Sequence, residues 1–247
     1  MSFFSAPDFI QKLDSFFARE DVKGAQNYLR ETYAELASDE NASARLTVLN
    51  EIIGLSRQTN EEKEALRAID EAVRLIDKCG IEGTKSAGTI YLNCATTLKH
   101  FSKAEKSIEY YSKTSEIYDR ILDENDPLKA GLYNNMALAL QDLEQYEKAE
   151  EMFRKAIDIT LTDDKNALET AVSYVNLAHL LFDLNPIDEE INILLDKAYD
   201  ILLNPAYYGY SKYAFTCRKC APSFGYFGRF LQEKKLGERA DEVYGLA

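Results

Sequence analysis

The sequence predicts an all-α protein, a right-handed superhelical solenoid of about six antiparallel helix pairs. Stretches that begin at Tyr91, Tyr133 and Tyr174 read YLNCATTLK, YNNMALALQ and YVNLAHLLF, and they return at intervals of 42 and 41 residues. Between these points the apolar residues recur at helical spacing, for example over residues 133–140 and 149–157. A fixed period of this length indicates stacked helical repeats.

The second helix of each unit keeps the same register. Large residues recur every 42 positions in one column, which contains Ile69, Tyr111, Phe153 and Leu195. Small residues recur in a second column, which contains Ala72, Thr114, Ala156 and Ala198. Small side chains let two helices approach closely while large ones fill the space between units, so each unit is predicted to be a pair of packed helices.

Start signals are expected where one helix gives way to the next. Asp126 followed by Pro127 indicates a helix start, because proline at the first helical position loses no hydrogen bond. Ser102 with Glu105 three residues later predicts a capping box, and Asn60 before EEKEAL predicts another helix start.

The unit AGLYNNMALALQDLEQYEKAEEMFRKAIDI resembles a tetratricopeptide repeat. The large and small residues of that family pattern correspond here to Tyr133, Leu140 and Phe153, and to Ala137, Ala149 and Ala156. The period of 42 exceeds the usual length, and in this respect the chain resembles kinesin light chain repeats and bacterial peptide-pheromone sensors. The resemblance implies a solenoid whose first helices line a concave inner wall.

We expect a single repeat domain over residues 1–247. Its units are predicted at about 7–37, 41–79, 85–122, 127–161 and 165–203, followed by an atypical C-terminal unit at 206–247. In that last unit Pro222 should extend or break the first helix, because proline cannot donate to the preceding turn. The segment also resembles the tails of bacterial repeat proteins with no assigned activity.

Composition excludes several classes of function. The chain has 42 Asp and Glu against 29 Lys and Arg, a formal net charge of −13, which disfavours nucleic acid and anionic membranes as partners. Neither a signal peptide nor a membrane span is readable, and we expect a soluble, cytoplasmic protein without a cofactor.

Three asparagines at the same place in the first helix of their units, Asn93, Asn135 and Asn176, are the main candidate site. The resemblance implies that this position faces the inner wall, where an amide can both donate to and accept from the backbone of an extended peptide. The other predicted contact residues are Thr96, Lys99, Asn134, Leu138, Gln141, Val175 and His179. The alternative is that these asparagines only bridge neighbouring helices.

The C-terminal unit is a second candidate, because nine aromatic residues fall between Tyr207 and Phe230. They are interpreted as a terminal cap that completes the core, with a homodimer surface around Tyr226 and Phe230 as the alternative.

Catalytic and metal-binding patterns are weak. Cys217 and Cys220 have the spacing of half a zinc site, but no second pair follows, and structural thiols are favoured. His179 would need a partner to act as a general base, and the sequence identifies none. We therefore predict a non-enzymatic module that binds a protein or peptide. The alternatives are a peptide-responsive sensor acting through a partner protein, or a homodimeric scaffold.

Overall fold

The structure, a computed structural model, describes residues 4–36, 41–210 and 212–245. Over these residues it contains twelve α-helices, two short 3₁₀ turns and no β-strand, which confirms the predicted all-α fold. The helices are α1 Ala6–Phe17, α2 Val22–Glu35, α3 Ala42–Gln58, α4 Glu62–Cys79, α5 Lys85–His100, α6 Ala104–Ile121, α7 Pro127–Asp142, α8 Tyr146–Thr160, α9 Ala167–Leu184, α10 Glu189–Leu202, α11 Tyr213–Tyr226 and α12 Phe230–Gly245. None of these helices is long and apolar enough to cross a bilayer.

The chain divides into two compact units. Unit 1 comprises residues 1–121 and contains α1 to α6, and unit 2 comprises residues 122–247 and contains α7 to α12. In each unit the odd-numbered helix of a pair packs along the even-numbered helix that follows it. We refer to the odd-numbered helices as A helices and to the even-numbered ones as B helices.

The repeated columns of the sequence form the core of each unit. Members of the large-residue column are no more than 1% exposed, and those of the small-residue column are completely buried. In α7 and α8 Ala137, Ala149 and Phe153 are also fully buried, and Tyr133 packs against a cluster that includes Ala156. The packing predicted from the period is therefore confirmed, because small residues stand where the helices cross closely.

The A helices of five pairs end in the same turn. In each turn a residue two or three positions past the end of the helix adopts a left-handed conformation. The N–H of the residue that follows it donates to the carbonyl of the residue five positions earlier, which is the closing bond of a Schellman motif. The left-handed residues are Glu20, Asn60, Ser102 and Glu144, with φ between 56° and 60°, and Gly228 with φ 75°. The closing bonds run from Asp21 to Phe16, Glu61 to Ser56, Lys103 to Leu98, Gln145 to Leu140 and Arg229 to Phe224.

These turns correct two of the predicted helix starts. Ser102 does not form a capping box, since it terminates α5 in the left-handed conformation and α6 begins only at Ala104. Asn60 likewise terminates α3, and Glu61 is the residue that precedes α4. The third prediction is confirmed, because the Asp126 carboxylate accepts from the N–H of Leu128 at 2.9 Å and Pro127 opens α7.

The turn between α9 and α10 differs from the other five. Asn185 occupies the place of Glu144 but is extended, with φ −152°. The next residue is Pro186, which has no N–H and cannot form the closing bond of the Schellman motif. The N–H of Asp188 donates instead to the carbonyl of Asn185 at 3.0 Å.

The atypical C-terminal pair is a helix pair as well. Helix α11 continues through Pro222 without a break, so of the two predicted outcomes the structure shows a continuous helix. Its core residues hold it in place: Tyr213 is fully buried and its hydroxyl donates to the carbonyl of Leu202 at 2.6 Å, and Phe224 is fully buried with its ring 5.6 Å from that of Tyr199.

Candidate functional site

The candidate residues lie on the A helices, and neighbouring A helices contact each other directly. In unit 1 helix α3 contacts α5, and in unit 2 helix α7 contacts α9 and α9 contacts α11. A polar side chain on one A helix is therefore within reach of the next A helix in the same unit. This geometry decides which asparagines have hydrogen-bonding partners.

In unit 1 the Asn93 side chain is held on both sides. Its amide nitrogen donates to the backbone oxygen of Asn50 at 2.9 Å and to the side-chain oxygen of Asn50 at 3.1 Å. Its own oxygen accepts from Nη1 of Arg57 at 3.0 Å. Asn93 thus bridges α5 to α3, which is the interhelix role that the sequence left open.

Two charged residues of α3 flank this amide pair. Arg57 donates from Nη1 to Asn93 and, at 3.3 Å, to the hydroxyl of Thr97. Glu51 accepts from the Asn50 amide at 3.2 Å. Both side chains are partly buried: burial lowers the pKa of Arg57 and raises the pKa of Glu51.

Thr96 and Lys99 follow Asn93 on α5. The Thr96 hydroxyl donates to the backbone oxygen of Leu92 at 2.9 Å and accepts from the Tyr111 hydroxyl at 3.3 Å. Lys99 is partly buried in the last turn of the helix. Both positions therefore lie on the same helix as the Asn93 bridge, toward its C-terminal end.

In unit 2 the Asn176 side chain makes a similar bridge. Its amide donates to the Asn134 oxygen at 3.0 Å, and that oxygen also lies 3.4 Å from the hydroxyl of Ser173. Asn176 is 42 residues from Asn134, and Asn93 is 43 residues from Asn50. The same bridge between consecutive A helices therefore occurs once in each unit.

Asn135 differs from the other two asparagines. It is partly buried on α7, and within the described residues its side chain makes no hydrogen bond. Asn135 therefore retains both its donor and its acceptor.

The remaining predicted residues of unit 2 fall into two groups. Leu138 and Gln141 are partly buried on α7, and the Gln141 amide donates to Asp183 at 2.7 Å. Val175 is only 3% exposed, which corrects its predicted place on the groove wall. Its side chain packs into the core of unit 2 and cannot present a surface to a ligand.

His179 belongs to an aromatic cluster that joins α9 to the end of α11. Its ring lies 5.0 Å from that of Tyr226 and 4.8 Å from that of Phe227, and the ring of Phe182 lies 5.5 Å from both. Burial lowers the pKa of His179, and nearby Asp183 opposes this shift. The imidazole thus packs within this cluster and stays partly exposed.

The C-terminal aromatics are divided between core and surface. Tyr213 and Phe224 are completely buried, as expected for a cap. Tyr226 is 60% exposed and Phe230 is 68% exposed, and they stand at the end of α11 and the start of α12. This surface is the part that a dimer could use.

Three of the four cysteines lie in the surroundings expected of structural thiols. Cys94, Cys217 and Cys220 are buried free thiols and Cys79 is an exposed one. No group of three or more His, Cys, Asp or Glu side chains within residues 4–36, 41–210 and 212–245 is arranged to hold a metal ion.

Sequence reasoning missed two residues of the unit 1 arrangement, Asn50 and Arg57. Asn50 was detectable, because it stands 43 residues before Asn93, as Asn134 stands 42 before Asn176. Arg57 carries no comparable signal, since a cation in the last turn of a helix is ordinary.

Comparison with known proteins agrees with this geometry. The pattern described as "Tetratricopeptide repeat" matches residues 86–162 and 128–202. A comparison with curated proteins found no match.

Three solved structures illustrate the fold. BtubC (BKLC) from P. vanneervenii is 20% identical, with 80% of this chain and 79% of that chain covered and a TM-score of 0.68. A putative kinesin light chain repeat protein from Podospora anserina is 16% identical, with 81% and 95% covered and a TM-score of 0.59.

A signal transduction ATPase with a tetratricopeptide repeat sensor, from Pyrococcus horikoshii, is 16% identical, with 87% of this chain and 32% of that chain covered and a TM-score of 0.65. At these identities the likeness shows the fold alone, and a fold does not by itself imply a function. Residues 86–202 therefore match tetratricopeptide repeats, and the fold of the chain is similar to that of BtubC and of the putative kinesin light chain repeats.

Proposed function

We propose that the protein is a non-catalytic interaction module that holds an extended segment of a partner protein against α7 and α9 of unit 2. The observation that carries this proposal is Asn135, a partly buried amide with no hydrogen bond among the described residues. An amide that is not engaged by the protein can pair with a ligand, and an extended backbone offers both the donor and the acceptor that it needs.

The surroundings of Asn135 support this assignment. Asn134, the residue before Asn135 on α7, accepts from the amide nitrogen of Asn176 and leaves the Asn176 oxygen able to accept from a ligand N–H. Leu138 lies one turn from Asn135 on the same helix, and His179 lies one turn from Asn176 on α9. The face thus combines polar groups for a backbone with an apolar and an aromatic side chain for ligand side chains.

The test is a selection of peptides from a random twelve-residue display library on the full chain. Selected peptides are then measured against the wild type, Asn135→Ala and Asp200→Ala, the last being an exposed residue of α10. We expect Asn135→Ala to weaken binding about tenfold, which corresponds to about 1.4 kcal/mol, and Asp200→Ala to leave it unchanged. Equal affinity for all three proteins would show that α7 is not the binding face.

A second candidate is self-association through the exposed aromatic surface of the C-terminal pair. At the start of α12 the side chains of Phe230 and Leu231 are 68% and 85% exposed, and Tyr226 at the end of α11 is 60% exposed. An exposed apolar patch of this kind often marks a protein–protein interface. Light scattering after gel filtration should then give a dimer for the wild type and a monomer for Phe230→Ser. Leu161→Ser, at a 59% exposed residue following α8, is the control and should stay dimeric.

A further inference from the structure

Two ionisable side chains of α3 are partly buried and form no ion pair with any residue that the structure describes. Within the described residues Arg57 donates only to the oxygens of Asn93 and Thr97, both uncharged, and Glu51 accepts only from the amide of Asn50. The chain carries a net charge of −13, so acids are not scarce. Other arginines do have carboxylate partners, for example Arg30 with Glu64 at 2.6 Å.

These two charges stand at opposite ends of one hydrogen-bonded chain. Glu51 accepts from Asn50, Asn50 accepts from Asn93, and Asn93 accepts from Arg57, over distances of 3.2, 2.9 to 3.1 and 3.0 Å. The two amides fix the positions of the charged groups but neutralise neither of them. The arrangement is therefore a preorganised pair of opposite charges with a neutral bridge between them.

The electrostatic surroundings of each group leave its charge uncompensated. Among the described residues, the charge that acts on Glu51 is that of Asp14, which has the same sign and raises the pKa of Glu51 further. Among the described residues, the group that acts on the charge of Arg57 is the Tyr111 hydroxyl, which raises the pKa of Arg57 against the effect of burial. A charge that is partly removed from water without a partner is unfavourable, so an oppositely charged ligand group gains energy at each end.

Space for a ligand group exists beside Glu51. A cavity of about 240 Å³ opens between α3 and the start of α5. Its lining combines hydroxyl groups, apolar side chains and the Glu51 carboxylate, and consists of Ser43, Leu46, Thr47, Asn50, Glu51, Ile81, Ser86, Thr89 and Ile90. Hydroxyl oxygens and a carboxylate suit the ammonium group of a lysine, and the apolar residues suit its methylene chain.

We propose that unit 1 binds an extended segment of a partner protein that carries one basic and one acidic residue, with the basic side chain at Glu51 and the acidic side chain at Arg57. Six residues of helix separate the two positions on α3, or about 9 Å along its axis. An extended chain advances about 3.3 Å per residue, so the two ligand charges should lie two to three residues apart. This site is separate from the α7 and α9 face of unit 2.

The same random twelve-residue library tests the proposal, applied in parallel to the full chain as wild type, Glu51→Gln, Arg57→Gln and Arg57→Glu. Peptides selected on the wild type should be enriched in a basic and an acidic residue two to three positions apart. Arg57→Gln should lose the acidic enrichment, Glu51→Gln should lose the basic one, and Arg57→Glu should select a basic residue in place of the acidic one.

Affinities of one selected peptide provide a second readout. We expect at least a tenfold loss on Arg57→Gln and a smaller loss on Arg57→Lys, which keeps the charge but not the forked donor geometry. Thermal unfolding of each variant verifies that it is folded, and the inverted preference of Arg57→Glu cannot arise from misfolding. The proposal is overturned if the wild type selects no peptides, if no charge pair is enriched, or if the enrichment persists on both neutral variants.

Asn135→Ala separates this proposal from the function proposed for unit 2. Peptides with the charge pair should bind Asn135→Ala as tightly as the wild type. If selected peptides depend on Asn135 and not on Arg57, the unit 2 function stands and the charge-pair site is rejected. If they depend on Arg57 and not on Asn135, the unit 2 face is rejected and the charge-pair site stands.

Discussion

The side-chain amide of Asn93 donates to two oxygens of Asn50, its backbone carbonyl at 2.9 Å and its side chain at 3.1 Å. An equivalent contact joins Asn176 to Asn134 at 3.0 Å. In each unit an asparagine that recurs with the repeat period therefore links one A helix to the preceding A helix. The bridge is a stabilising element as well as a part of the candidate surface.

Substitution of Asn93 should destabilise unit 1. Asn93→Ala removes the donor of two Asn50 oxygens and the acceptor of Arg57, and a loss of about 1–3 kcal/mol in the free energy of unfolding is expected. Asn135→Ala should change it by less than about 0.5 kcal/mol, because its side chain has no bond among the described residues. Urea denaturation measures both, and similar losses for the two variants would contradict the different environments described above.

Two glycines should respond to alanine in opposite directions. A Cβ at Gly88 would lie 2.8 Å from Cε1 of Tyr118, whose side chain is completely buried and cannot retreat. Gly88→Ala should therefore lower the free energy of unfolding by about 1–3 kcal/mol. At Gly131, an exposed position within α7, nothing lies within 4 Å of a Cβ, and Gly131→Ala should raise it by about 0.5–1 kcal/mol. Thermal or urea unfolding distinguishes the two signs.

Glycine at a left-handed turn residue should be stabilising. Glu144 has φ 57°, a conformation that costs about 1 kcal/mol for a residue with a Cβ. Glu144→Gly removes this strain, and after the added entropy of the unfolded chain a net gain of about 0.5 kcal/mol is expected. Glu147→Gly, within the first turn of α8, should instead lose about 1 kcal/mol. A loss at both positions in urea titrations would argue against strain at Glu144.

Thiol reactivity should be limited to one cysteine in the folded protein. Cys79 is exposed, whereas Cys94 and Cys217 are completely buried and Cys220 is 1% exposed. Ellman's reagent should titrate one thiol rapidly under native conditions and four in denaturant. Rapid reaction of two or more native thiols would show that the helix cores open readily.

Stability should decrease in alkaline solution. Burial raises the pKa of Cys94 and that of Cys220 to about 12, so the folded state keeps both thiols protonated after the unfolded chain has begun to ionise. The unfolded state then binds fewer protons than the folded state, and the free energy of unfolding falls as the pH rises from about 8.5 toward 12. Cys94→Ala should show a shallower decline than the wild type in urea titrations over this range.

The helical columns could be predicted because they follow from periodicity alone. Positions such as Phe153 and Ala156 are buried whatever the details of the turns, since a period shared by several units fixes one buried face. The residue to which the Asn93 amide donates could not be predicted in this way. It depends on Asn50 in another helix, and a sequence period shows spacing without showing partners.

The turns were harder to predict, because the residues that begin helices also tolerate the conformation that ends them. Ser102 and Asn60 sit between two closely spaced helices, where a short polar residue can be an N-cap or a left-handed terminator. The Schellman bonds that follow these two residues show that both of them terminate a helix. At Pro222 local preference was outweighed by tertiary packing, since buried residues on both sides keep α11 continuous.

The turn at Asn185 and Pro186 has a practical consequence. This turn is closed by the hydrogen bond from the Asp188 N–H to the Asn185 carbonyl, and not by the Schellman bond that closes the other five turns. Ile187 within the turn is 87% exposed. Added residues between Pro186 and Ile187 would interrupt the turn bonds from Asp188 and Ile187 to Asn185, but no Schellman bond. A fluorescent reporter or an epitope tag inserted between Pro186 and Ile187 is therefore expected to leave α9 and α10 folded while the molecule is followed in a cell.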